Sequence, residues 1–364
     1  MALQTSGPIS LDDIHVEAGG TTGTTCTIQD ADIRELVGAQ SASTISFNEF
    51  LGASAPFSFS ISNSIGNSVN KMNVATYLTS QGWDGVGAAT LTIPSNVFVW
   101  SDSTAIAGMT ISGSFPNGLT VVNSGKIIGK GGNGGDNSNI GGGSANGGNG
   151  GPAIKVTSSS TIQITNNNGA FIAGGGGGGA AADQLKNTAG QNITGGSGTA
   201  VSGGGGGAGG GNGGAGVTFS AEPGGAINQN GDPVQLSGTS YTTAAGAGGA
   251  GGSAGGGRKL PGTGGVFVSP FDNPSPSGIG DGGSGNNAAG IGGFATNSSY
   301  PNGFITGGGG GGWGASGGSV AANQQSVTGM FTAASGGSGG GAITKAGSGA
   351  YNLTNNGNVY GSTA

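Results

Sequence analysis

Charge is the scarcest property of this chain. Asp, Glu, Lys and Arg make up only 7% of its 364 residues, where a globular domain carries about 25%. The apolar fraction, 33%, is also low, so an ordinary enzyme core is not expected over most of the length. Cys26 is the single cysteine, which allows no internal disulfide and excludes a stapled mini-domain. His15 is the single histidine. With no His/Cys cluster, no zinc or iron site is expected, and no cofactor. No apolar run reaches the roughly 18 residues of a membrane-spanning helix, so no membrane insertion is expected. Met1–Ser10 has neither the basic stretch nor the apolar core of a secretory signal. The net charge of −6 and pI near 4.5 argue against nucleic acid and anionic membranes as partners.

Glycine fills the gap. It accounts for 91 residues, and it is unevenly spread. Residues 1–128 hold 14 and residues 129–364 the other 77, one residue in three. Collagen needs glycine at every third position and abundant proline. Here glycine comes in runs and there are 12 prolines, so collagen is excluded. A solvated glycine-serine linker is opposed by the apolar and aromatic residues between the runs. The remaining model is a bundle of polyglycine II helices. These have three residues per turn, a rise of ~3.1 Å and free N–H groups that can bond to neighbours. Ordering glycine costs ~0.5–1 kcal/mol more than ordering alanine, so many parallel runs are required. The sequence supplies Gly141–Gly151, Gly174–Gly179, Gly203–Gly216, Gly246–Gly257, Gly278–Gly293, Gly307–Gly318 and Gly336–Gly341.

Before the runs the chain reads differently. Ser10-Leu-Asp-Asp13 and Ser46-Phe-Asn-Glu49 are capping-box patterns. Asp30 is placed to cap Ala31–Val37, with Gly38 as the stop. Asn70–Gln81 reads as a helix with Val74, Tyr77 and Leu78 on one face. Residues 1–55 hold seven of the 15 acids and one Arg or Lys, Arg34. The period then changes to β-prone runs at Leu91–Ile93, Val97–Trp100, Met109–Ile111 and Leu119–Val122. A pattern recurs at Leu119–Gly129, Ile164–Gly174 and Leu353–Gly361: an apolar strand, an Asn/Ser-Gly turn, a second short strand and a glycine. Such repeats suggest rungs of a small solenoid-like sheet bracing the glycine bundle at its base. The expected fold is therefore mainly β and irregular. Residues 1–56 form a short helical attachment segment, 57–128 a helix plus β-strand connector, and 129–364 a polyglycine II sandwich with protruding loops and a C-terminal strand pair.

Catalytic readings find no constellation. Gly131–Asp136 matches the start of a calcium-binding nonapeptide, but only one copy exists and Ser138 stands where a large apolar residue belongs. Cys26 with His15 could suggest a nucleophile pair, yet a buried structural cysteine is the plainer reading. Glycoside hydrolysis requires two carboxylates about 5–10 Å apart. Asp136, Asp183, Glu222, Asp232, Asp272 and Asp281 are scattered over separate segments, so the chain is not expected to be an enzyme.

The stretches between the runs are Ala180–Thr194, Val217–Ala245, Arg258–Ser277, Phe294–Thr306 and Ser319–Ser335. They differ in length and share no motif. A rigid frame carrying variable loops is where recognition usually sits. Aromatics dominate binding hot spots, so Phe219, Tyr241, Phe267, Phe271, Tyr300, Phe304 and Phe331 are candidate receptor contacts, beside the one adjacent basic pair, Arg258 and Lys259. Each aromatic has an equally good reading as an anchor of its own loop. Trp313, inside a run, is expected to pack on the bundle's flank.

Runs alternating with loops over about residues 129–350 resemble the distal adhesins at the long-tail-fibre tips of T-even-like phages. The front end, with Gly7-Pro-Ile-Ser-Leu-Asp-Asp-Ile14, Asp30-Ala-Asp-Ile-Arg-Glu-Leu-Val-Gly38 and Ile45-Ser-Phe-Asn-Glu-Phe50, is similar to N-terminal segments of tailed-phage tail proteins. The resemblance implies a virion protein that binds a bacterial outer-surface receptor, protein or glycan, through its loops. It also implies that residues 1–56 hold the chain to other tail or fibre proteins. A purely structural tail component is the alternative. An ice-binding protein, which would need a regular Thr or Ala face, is a more distant one.

Overall fold

The computed structural model describes residues 2–40, 43–63, 69–135, 146–181, 308–319 and 334–364, together with the strand residues 266–267 and 305–306. Three short α-helices occur among them, and most of the remaining regular structure is parallel β-sheet.

The N-terminal segment folds around Leu3, Ile14, Ile33 and Phe50. Helix α1 (Leu11–Glu17) starts in the expected box, with the Asp13 N–H donating to Ser10 Oγ (3.1 Å) and the Ser10 N–H to Asp13 Oδ2 (2.9 Å). Helix α2 (Ala31–Glu35) is shorter than Ala31–Val37. Asp30 does not cap it, because its carboxylate turns back to accept from the Thr27 N–H (2.9 Å) and Oγ1 (2.8 Å). A 3₁₀ turn at Phe47–Phe50 follows, with Glu49 reaching back to the Ser46 N–H at 2.9 Å. Arg34 is 3% exposed and is held by the carbonyls of Gln40 and Ser43, Ser43 Oγ and Gln29 Oε1.

The β-structure is a three-sided parallel solenoid. Its first rung is Phe57–Ser60 (β1), Val69–Asn70 (β2) and Met72–Asn73 (β3). The second is Ala89–Ile93 (β4), Phe98–Trp100 (β5) and Met109–Ile111 (β6). The third is Leu119–Asn123 (β7), Lys126–Ile128 (β8) and Ile154–Val156 (β9). The fourth begins with Ile162–Asn166 (β10) and Phe171–Ala173 (β11). Its third strand comes only after an antiparallel pair, Val266–Phe267 (β12) with Ile305–Thr306 (β13), and is Ile343–Lys345 (β14). Tyr351–Asn355 (β15) and Asn358–Tyr360 (β16) make the fifth, and Thr363 bridges to Ile343 on its third side. The faces run β1-β4-β7-β10-β15, β2-β5-β8-β11-β16 and β3-β6-β9-β14. Alternate residues point inward, so Leu91, Val121 and Ile164 stack in the core.

Helix α3 (Val74–Ser80) follows β3, with Val74 and Leu78 buried. It is shorter than Asn70–Gln81 because Asn70, Met72 and Asn73 belong to strands; Asn73 caps it, accepting from the Thr76 N–H at 3.3 Å. Tyr77 packs edge-on against Phe59 of the first rung, with ring centroids 5.8 Å apart.

The recurring Asn/Ser-Gly elements are the rungs, but they are not hairpins. The strands flanking each one enter different faces, and each strand's partners are the equivalent strands one rung away. Asn123, Asn166 and Asn355 form a ladder at this corner. Asn123 Nδ2 donates to Asn166 Oδ1, and Asn166 Nδ2 to Asn355 Oδ1, each at 2.8 Å. Gly125 follows because a Cβ there would lie 2.3 Å from the Val97 carbonyl oxygen. Only Gly169 has the positive φ, 80°, that an Asn-Gly turn suggests.

Candidate functional site

The glycine segments leave the solenoid at one corner, between its second and third faces. Lys71 alone turns that corner in the first rung, with φ 50°. In the third rung the chain departs between β8 and β9, and in the fourth between β11 and β14. Five described segments result: 129–135, 147–151, 174–180, 308–318 (which doubles back at Trp313 and Gly314) and 335–341.

Their backbones bond to one another every third residue. The N–H groups of Gly129, Gly132 and Gly135 donate to Ala173, Gly176 and Gly179 at 2.8–2.9 Å. Gly175 and Gly178 donate to Gly151 and Gly148, while Gly340 and Gly337 donate back to Gly175 and Gly178. Gly308, Gly311 and Gly314 donate to Ala180, Gly177 and Gly174. Segment 174–180 is therefore the centre of the array, bonded to all the others, and its residues are buried.

Room, rather than backbone torsion, demands glycine here. None of Gly174, Gly175, Gly177, Gly178 or Gly179 has a positive φ. A Cβ added at Gly178 would lie 1.8 Å from the Asn133 carbonyl oxygen, and at Gly177 1.9 Å from that of Gly337. Two side chains serve the rim. Asn146 and Asn149 accept from the N–H groups of Ser335 and Ser338 at 2.8 and 2.9 Å.

Trp313 joins this array to the solenoid. It is 3% exposed and shares a cluster with Phe98, Trp100, Ile128 and Ala173 on the outside of the second face. Phe171 and Tyr360 flank the cluster, and the Trp313 and Phe171 ring centroids are 6.1 Å apart. Lys126 Nζ sits 4.6 Å from the Phe98 ring centroid. Burial pulls the Lys130 ammonium below its ordinary pKa, against the opposing pull of Asp102.

The register fixes where the intervening stretches attach. Ala173 and Gly129 mark the solenoid end of the array. At the other end Gly135 bonds to Gly179, Gly147 to Ser335, Gly308 to Ala180 and Ala180 to Gly318. The stretches 136–145, 182–307 and 320–333 thus all begin and end away from the solenoid. Phe219, Tyr241, Arg258, Lys259, Phe271, Tyr300, Phe304 and Phe331 lie outside the described residues. Phe267 lies in β12, whose backbone pairs with Ile305 of β13.

No group of three or more His, Cys, Asp or Glu side chains able to hold a metal occurs among the described residues. No helix among them is long and apolar enough to cross a membrane. His15 Nε2 hydrogen-bonds Thr24 Oγ1 at 2.8 Å. Burial, with Asp30, Asp12 and Asp32 nearby, pushes the Cys26 thiol up, the wrong direction for a nucleophile. The Ser54 hydroxyl donates to Asp84, and Glu17 Oε1 accepts from the Ala55 N–H at 3.0 Å, fastening the N-terminal segment to the solenoid.

Sequence reasoning missed the Asn ladder. Its signal was the Asn closing each five-residue strand, at 123, 166 and 355.

No curated protein matches the chain. Among solved structures it is similar to a chain of the gp37–gp38 adhesin tip complex of the bacteriophage S16 long tail fibre. The TM-score is 0.50 and the identity 18%, over 98% of this chain and 99% of that one. That likeness extends through the solenoid and the glycine array together. The family model for the phage tail fibre adhesin Gp38 matches residues 60–270, more than half of the length. The chain is a member of the Gp38 family of phage tail fibre adhesins.

Proposed function

We propose that this adhesin sits at the tip of a phage tail fibre and binds a receptor on the bacterial outer surface through the stretches between its glycine runs. One observation carries this reading: the described residues that flank 136–145, 182–307 and 320–333 all lie at the end of the array away from the solenoid. Recognition is thereby concentrated on one tip, held by a frame whose backbone bonds resist deformation. The three-residue bonding period and the absence of room for Cβ atoms support a polyglycine II sandwich. At ~3.1 Å per residue, the six steps from 174 to 180 carry the loops about 19 Å outward.

Residues 1–56 are the attachment segment in this reading. The S16 neighbour is a complex of gp37 with gp38, and a fibre protein is the corresponding partner proposed here. The Glu17 and Asp84 contacts with Ser54 and Ala55 would carry force from that partner into the solenoid. Binding is proposed to be non-enzymatic, without cofactor.

The test is adsorption of purified virions. Phe271→Ala and Tyr300→Ala are expected to reduce adsorption at least several-fold, because a few aromatic anchors dominate such contacts. Neutralising Lys259 should matter less, since a rim cation is screened by salt. Circular dichroism of the isolated protein controls for folding. Normal adsorption of both aromatic variants would move the contact to Val217–Ala245 or Ser319–Ser335. Unchanged host range after exchange of all the loops would favour a purely structural component.

A further inference from the structure

The first face of the solenoid has an outside as regular as its inside. Ser58, Thr90, Thr120, Gln163 and Asn352 stand in register across β1, β4, β7, β10 and β15. Two residues along each strand, Ser60, Thr92, Val122, Thr165 and Thr354 make a second row. All are exposed or half-exposed. None is charged and none is aromatic. Apart from Ser60, whose hydroxyl reaches the Ile61 carbonyl at 3.4 Å, none has a side-chain hydrogen bond to the described protein. The face therefore repeats two outward positions at each rung, polar at all of them but Val122, about 4.8 Å apart across strands and roughly 6.7 Å apart along them.

We propose that this face is a second binding surface, for an uncharged polyhydroxylated polymer: a neutral glycan chain. Three properties select that partner. Hydroxyl and amide groups both donate and accept, matching sugar hydroxyls without desolvating an ion. A protein partner would be expected to need buried aromatic or Arg anchors, which the face lacks. A repeating surface suits a repeating ligand, because many weak contacts along one chain sum by multivalency. The role is retention at the cell surface while the loops search for their receptor. The proposal concerns a different surface from the loop reading, so either can fail alone.

The test is affinity electrophoresis of the full-length protein in gels containing dextran, mannan or galactan. Wild type is compared with the triple variant Thr90→Val, Thr120→Val, Thr165→Val. Valine keeps the β-branched shape and removes only the hydroxyls. At least one polysaccharide should retard the wild type, and the triple variant should lose at least ~5-fold of that retardation. Phe271→Ala should be retarded like wild type, separating this surface from the loops. Should the valine variant not fold, Thr92→Lys serves instead, placing a long charged side chain on the outward row. No retardation by any of the three polymers, or equal retardation of folded variant and wild type, overturns the proposal. Shaping of growing ice by wild type and not by the valine variant also overturns it, in favour of a surface for ordered water.

Discussion

The solenoid and the glycine array are both bundles of extended chain, yet they fill their interiors in opposite ways. In the solenoid the backbone repeats every two residues and side chains do the filling. Leu91, Val121 and Ile164 stack at 1% exposure or less, and burying such side chains contributes about 1.5–3 kcal/mol each. In the array the bonds repeat every three residues and the backbone itself is the interior. Carbonyl oxygens stand where Cβ atoms would be, within 2 Å around segment 174–179. The first interior fails when atoms are removed, the second when they are added.

That contrast sets the order of expected effects. Gly178→Val should be the most damaging change. Its Cβ would occupy the position of the Asn133 carbonyl, a backbone group that no rotamer can move, so a loss above ~4 kcal/mol is expected. Rapid cleavage by added protease between residues 174 and 342, with the solenoid fragment intact, would show the damage to be local. Unchanged melting would remove the packing model at that segment.

Ile164→Ala, by contrast, should leave a cavity and cost about 2–5 kcal/mol by denaturant titration. Asn166→Ala should approach the same size, roughly 2–4 kcal/mol, because it removes the bonds to Asn355 and the Asn358 carbonyl and leaves the Asn123 amide only its longer bond to the Phe171 carbonyl. Gly178→Ala and Ile164→Ala install the same residue, so destabilisation by both would display the two interiors directly.

Trp313→Ala tests the joint between the two regions. Loss of its packing on Trp100, Ile128 and Ala173 should cost about 3 kcal/mol or more. Calorimetry should then resolve two transitions where the wild type is expected to show one.

The smallest effect is on acid stability. Asp13 and Asp30 lie below their ordinary 3.8 through hydrogen bonds from Ser10 and Thr27. At Asp84 burial pushes upward but is outweighed by the Ser54 hydroxyl and the Val86 and Gly87 N–H groups, so it too is lowered. Each binds its proton more weakly folded than unfolded. Their stabilisation is therefore complete above 3.8 and lost as pH falls through the folded values. The Asp84→Asn variant should show a shallower loss of melting temperature between pH 5 and pH 3.

Much of this was legible in the chain. The capping residues Ser10 and Ser46 and the glycine stop at 38 declare themselves locally, and the β-prone runs Leu91–Ile93 and Leu119–Val122 fall within the strands at 89–93 and 119–123. Runs of glycine with almost no charge pointed to backbone packing. Adhesin membership, expected from runs and loops, is shown by the family match. What local pattern conceals is partnership. An Asn-Gly step carries the same local signal in a hairpin and at a solenoid corner. Only the register of strand 119–123 against 162–166 and 351–355 distinguishes them. The helical reading of 70–81 runs past helix 74–80 because the face of Val74, Tyr77 and Leu78 does not mark where the strand residues Asn70, Met72 and Asn73 end. Apart from Phe267 the aromatic candidates lie outside the described residues, and adsorption assays are their test.

The array, whose interior is backbone, should be as solid a frame as the solenoid beneath it. Amide hydrogen exchange measures this most directly. The Gly175, Gly178, Gly337 and Gly340 amides, each bonded to a neighbouring run, should exchange as slowly as those of Val121 and Ile164. Exchange near the rate of an unstructured glycine peptide, with the solenoid amides still protected, would contradict it.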